Sequence, residues 1–140
     1  MIRKTIVLLL LAVSSMEDLR SMKIYMPPLY AALAMGVLLA LLGDSELFLY
    51  RLAGVLSGAM LLLLAFFSRE AIGLGDAALF LVLGIWLGLW ESLLLLTGSL
   101  VLAALAGIFL WIRKKSMKQT FPFVPFVLIA YVLMLSVQCI

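Results

Sequence analysis

GDAALFLVLGIWLGLWESLLLLTGSLVLAALAGIFLWIRKK, residues Gly75 to Lys115, starts beside an acid, ends on three bases and carries one charge between them, Glu91. Its apolar residues run without interruption and are rich in Leu, with no alternation of period two, so the pattern is helical and not that of a barrel strand. Cutting at Glu91 predicts two helices, about 76–90 and 92–112. The chain around this stretch is of the same kind: of 140 residues 67% are hydrophobic and 12% charged, with a mean hydropathy of +1.32. A soluble domain cannot hide so much apolar surface, which makes lipid the expected solvent. Backbone amides in lipid must be satisfied within their own segment, and helices do that.

Working outward, charge and turn signals at EDLRSMK, GDSE, SREAIGLG and RKKSMKQT divide the rest into four more apolar segments. The six predicted spans are about 5–17, 27–43, 46–67, 76–90, 92–112 and 121–139. The expected fold class is all-α, a polytopic membrane bundle of about six transmembrane helices forming one domain over residues 1–140. Several spans fall short of the roughly 20 residues a bilayer asks for, so local thinning or snorkelling is expected. The pairs Gly54 and Gly58, Gly84 and Gly88, and Ala103 and Gly107 suit close helix contact. Trp86, Trp90 and Trp111 stand near span ends, as interfacial aromatics do. Arg20, Lys23, Arg69, Arg113, Lys114, Lys115 and Lys118 follow spans one, three and five, against Arg3, Lys4 and Arg51 on the other side. The positive-inside rule puts the larger set in the cytoplasm. A competing reading takes MIRKTIVLLLLAVSS as a secretory signal cut after Ser15.

The residue inventory limits the chemistry. There is no His, and the single Cys is Cys139, so no disulfide within the chain, Cys–His nucleophile or metal-ligand set is expected. The net charge of +3 is an orientation signal and not a nucleic-acid footprint. Carboxylates, hydroxyls and backbone remain. Asp18 closes span one and Asp76 opens span four, both on the cytoplasmic side, where Glu17 and Glu70 also fall. Each aspartate has a plain structural account: Asp76 as a helix cap, Asp18 as a solvated loop residue paired with Arg20 or Lys23. Together they form a pair of carboxylates on one side of a bundle that offers little other chemistry. Gly73 and Gly75 leave room beside Asp76 for backbone or a substrate strand. In TFPFVPF, Thr120 reads as a cap and Pro122 as a first-turn proline, while Pro125 is expected to keep that turn open, as an irregular start facing protein or water would be.

Three segments carry a resemblance. DLRSMKI (Asp18 to Ile24), GLGD (Gly73 to Asp76) and PFVPF (Pro122 to Phe126) resemble, in order, the motifs of the type IV prepilin peptidases, intramembrane aspartic proteases of the Gly-x-Gly-Asp class. The chain departs from that pattern at Tyr25 and Met26, where Pro-Asn usually follows the Ile, and at Ala78, where many members carry Lys. The resemblance implies Asp18 and Asp76 as catalytic pair, with Gly73, Gly75, Pro122, Pro125, Glu17 and Glu70 shaping the site or binding substrate, and no metal or other cofactor. It implies a prepilin or pseudopilin precursor as partner, cut behind a short basic leader that Glu17 and Glu70 would attract, in the cytoplasmic (inner) membrane at its cytoplasmic face. Larger relatives have a Cys-tetrad domain associated with methylation; the short Asp18–Met26 connection has no room for it, which implies cleavage without methylation. Helix dipoles favour Asp76, at a helix start, as the anion and Asp18, at a helix end, as the acid. Two rival functions stay open, an inactive membrane assembly component of the same fold and a proton-coupled carrier.

Overall fold

The computed structural model describes residues 2–21, 24, 26–43, 45–67, 73–114 and 122–138. Among these residues there are six helices and no strand: α1 Ile2–Ser21, α2 Met26–Leu41, α3 Ser45–Phe67, α4 Leu74–Leu87, α5 Leu89–Lys114 and α6 Val124–Gln138. Each predicted span has its helix. Of the residues singled out in the sequence, Lys23, Tyr25, Arg69, Glu70, Lys115, Lys118, Thr120 and Cys139 lie outside the described residues.

Helix ends follow local chemistry. α1 runs to Ser21, past its expected end at residue 17, with Arg20 in a last turn whose dipole favours a cation. There the Ser21 hydroxyl donates to the Glu17 carbonyl at 3.0 Å, satisfying a terminal acceptor. α2 tolerates Pro27 and Pro28 because they fall in its first turn, where no intrahelical donor is needed. The boundary expected at Glu91 is displaced to Gly88. That glycine has φ +87°, which only a residue without Cβ adopts cheaply, and it alone separates α4 from α5. Glu91 instead occupies the first turn of α5, where the dipole favours its charge.

α3 and α4 form the most extensive helix pair. Gly54 and Gly84 face each other so closely that a Cβ on either would strike the other's carbonyl oxygen, and Gly58 lies against the backbone at Phe80 and Leu81. The pairing is therefore antiparallel, and it uses two of the three small-residue pairs seen in the sequence. Gly107, from the third, has nothing within 4 Å of a Cβ position. α1 and α6 are antiparallel too: Asp18 meets Val124 at one end, and at the other the Lys4 ammonium donates to Gln138 Oε1 at 2.7 Å.

α4 is the central element. Nine of its residues are buried, and it touches α1, α2, α3 and α5. Phe80, Leu83, Leu11, Leu95, Val127 and Tyr131 lie at the heart of the core. α3 and α5 are long and apolar enough to cross a membrane, and only 28% and 17% of their most apolar windows is buried, unlike the core helix of a soluble protein. α2, α4 and α6 are shorter apolar helices. Trp90 and Trp111 are exposed near helix ends as expected, but Trp86 is buried and its indole donates to the Ala32 carbonyl at 2.9 Å. A tryptophan on the all-buried face of α4 finds its polar partner inside the bundle and not at an interface.

Candidate active site

One end of the bundle gathers the last turn of α1 and the first turns of α4 and α6. Asp18 sits in the last turn of α1 and is only 7% exposed. Its Oδ2 accepts the backbone N–H of Val124, the first residue of α6, at 3.1 Å. The reading of Asp18 as a solvated loop residue is thus replaced: the carboxylate is buried and caps another helix. Helix α6 leaves its first N–H groups without intrahelical partners, and an acceptor from a neighbouring helix fills one of them.

That bond also alters the expectation for Pro125. Pro125, half-buried, has no N–H to satisfy, while Phe126 and Val127 both donate to the Phe123 carbonyl, at 3.0 and 3.3 Å. With Val124 bonded to Asp18, every donor of the first turn is accounted for. The start of α6 is closed, not open. Pro122, also half-buried, precedes the helix instead of occupying its first turn. Phe123, between the two, places its ring 6.4 Å from that of Phe80 on α4.

Asp76 lies three residues after Gly73, the N-cap of α4. The cap reading therefore changes: Gly73 begins the helix, no side chain caps it, and the Asp76 amide donates to the Gly73 carbonyl at 3.1 Å. The Asp76 carboxylate folds back toward the cap, with Oδ2 only 3.1 Å from where a Gly73 Cβ would stand. Any side chain at 73 would press on that oxygen. Gly75 serves packing, since a Cβ there would meet Ile24 at 3.2 Å. Ile24 follows α1 and Gly75 stands in the first turn of α4, so this contact brings the first two motifs together. The charge of Asp18 acts on Asp76, which is itself half-buried.

Of the remaining site residues, Glu17 is half-buried in the last turn of α1, rotated roughly 100° around the helix from Asp18. Glu70 lies outside the described residues. Ala78 packs against the core beside Asp76. Among the described residues no group of three or more His, Cys, Asp or Glu is placed to hold a metal. One participant escaped sequence reading, the Val124 amide; Ile24 ends the first motif, but its packing on Gly75 was not foreseen. A backbone donor carries no residue-type signal, although PFVPF marked its neighbourhood.

The geometry unites the three motifs: Val124 N–H joins the last to the first, and Ile24 on Gly75 joins the first to the second. No curated protein and no solved structure matches the chain. A family model does, over residues 5–112, a stretch that includes both aspartates and ends before α6. The match takes in α2, α3 and α4 whole and all but the outer ends of α1 and α5, and the chain belongs to the type IV leader peptidase family.

Proposed function

We propose that this protein is a multi-pass intramembrane aspartic endopeptidase of the cytoplasmic membrane. It removes the short basic leader of type IV prepilin-like precursors at the cytoplasmic face and does not methylate the product. The observation that carries this reading is the convergence of Asp18 and Asp76 at one end of the bundle. Family membership supports the peptidase activity and the class of substrate. The weakly buried faces of α3 and α5 support a lipid surround.

Peptide hydrolysis by two aspartates takes one carboxylate to activate water and one carboxylic acid to assist the carbonyl oxygen, and two close carboxyls readily share one proton. Helix dipoles alone made Asp76 the anion. The Val124 bond favours the opposite division. A helix terminus is worth about 0.3–1 kcal/mol to a nearby charge. At Asp18 the unfavourable end of α1 and the favourable start of α6 offset each other. What remains is a hydrogen bond to a charged group, worth about 1.5–3 kcal/mol. Among the described residues the Asp76 carboxylate accepts no such bond and has the dipole of α4. Asp18 is then the water-activating carboxylate and Asp76 the acid, with the titration belonging to the pair.

The test is co-expression of a precursor with the wild type, Asp18→Asn and Asp76→Asn, with leader removal read on a gel. Loss of processing in both variants is expected. Processing that persists with Asp76→Asn would leave the fold in place and remove the protease reading, in favour of an assembly component.

A further inference from the structure

The opposite end of the bundle holds a second feature that the peptidase reading does not use. Arg51, on α3, is a cation 8% exposed. Its Nη1 donates to the Leu39 carbonyl at 3.2 Å, while its Nε is enclosed with no hydrogen-bond partner among the described residues. Arg51 lines a small recess with Arg3, Gly36, Leu39, Ile85 and Trp86. No carboxylate is among those lining residues. Of the other side-chain donors there, the Trp86 indole is already spent on Ala32, which leaves the guanidinium of Arg3.

Two guanidinium groups therefore face one recess and repel each other. Guanidinium does not deprotonate in proteins, so the charge cannot be relieved by losing a proton. An enclosed donor without an acceptor and two cations without a carboxylate beside them, among the described residues, are both answered by an oxyanion. The recess has a volume of about 10 Å³, space for one oxygen and not for a whole solvated anion. A tetrahedral phosphate could insert one oxygen against Arg51 Nε and leave the others at the mouth, near Arg3. Arginine's planar fork suits phosphate geometry.

We infer that Arg51 and Arg3 form a phosphate-binding site at the end of the bundle away from Asp18 and Asp76. Ile85 and Trp86 stand nine and ten residues beyond Asp76 on α4, about 15 Å along the helix, so the two sites are separate. The phosphate belongs either to a phospholipid headgroup or to free inorganic phosphate. Exposed Leu38 and Leu52, next to Leu39 and Arg51 in the chain, and Leu42, three residues after Leu39, provide an apolar wall along which acyl chains can lie.

The experiment measures thermal stability of protein purified in uncharged detergent, titrated separately with phosphatidylglycerol, diacylglycerol and inorganic phosphate. Wild type is compared with Arg51→Gln and Arg3→Gln. Phosphatidylglycerol should protect the wild type, with its half-effective concentration rising about tenfold or more in either variant, the worth of one charge-assisted hydrogen bond. Diacylglycerol, which has the tails without the phosphate, should act equally on all three. If inorganic phosphate alone protects in an arginine-dependent way, the site stands and its phosphate is free. Equal protection of wild type and variants by both phosphate probes, or no protection of the wild type by either, overturns the inference. Arg3 is exposed, so Arg3→Gln decides the matter if Arg51→Gln does not fold.

Discussion

Asp18 has an architectural duty in this structure, the bond to Val124, and a chemical one under the proposed function, and two substitutions part them. Asp18→Asn keeps a side-chain oxygen that can accept the Val124 N–H but removes the carboxylate. Asp18→Ala removes both. Val124 is fully buried and its N–H has no other acceptor among the described residues, so the alanine variant leaves a donor stranded. Stranding a buried donor costs about 1–3 kcal/mol, and here a bond to a charged acceptor is lost with it. The expected destabilisation is about 2–3 kcal/mol for Asp18→Ala and about 1 kcal/mol for Asp18→Asn. A gap of 1.4 kcal/mol is a factor of about ten in the folding equilibrium, which denaturant titration in mixed micelles resolves. Both variants should lose leader cleavage, by about 10²–10⁴-fold for a missing general acid or base. Equal stability of the two variants would refute the capping role. Cleavage by Asp18→Asn at the wild-type rate would refute the catalytic one.

The same contacts yield further expectations. Gly54→Ala or Gly84→Ala should cost about 3 kcal/mol or more, because the added carbon meets a backbone carbonyl that cannot rotate away. Gly107→Ala should instead be neutral or stabilise by up to about 1 kcal/mol through helix propensity, and the same unfolding titration compares them. Trp86→Phe should lose about 0.5–1.5 kcal/mol with the Ala32 bond and remove the most blue-shifted component of tryptophan emission. Leader cleavage should show a bell-shaped pH profile, since a pair sharing one proton fails when both members are protonated and when both are ionised. An Asn at either position should abolish that shape in whatever residual activity remains, and an unchanged bell sets the shared-proton scheme aside. Because Asp18 lies on α1, the active protein should retain that helix; an N-terminus beginning after Ser15 in the active enzyme would contradict the assignment.

How much of this was legible beforehand depended on the kind of signal. Continuous Leu-rich runs specify helices whatever surrounds them, and all six emerged close to their expected ranges. The Glu91 boundary failed because charge was read as punctuation. In a helix first turn an acid is favourable, and the chain reverses instead at the residue able to take positive φ, Gly88. Trp86 was misplaced for a related reason: nearness to a span end says nothing about which face of α4 looks inward.

The sequence by itself determined the helical class and the glycine pairs fit for close packing, and it singled out Asp18 and Asp76 as a candidate pair. Those features rest on residue type and local spacing, which every stretch of chain carries with it. Only the tertiary structure decided that Asp18 is buried against the start of α6, that Gly73 and not Asp76 caps α4, and that Arg3 and Arg51 share a recess with no acid in its lining among the described residues. Each of those facts joins residues far apart in the chain, often through a backbone amide that is the same at every non-proline position. Backbone hydrogen-bonding groups acquire identity only from where the fold leaves them unpaired, and helix packing sets that.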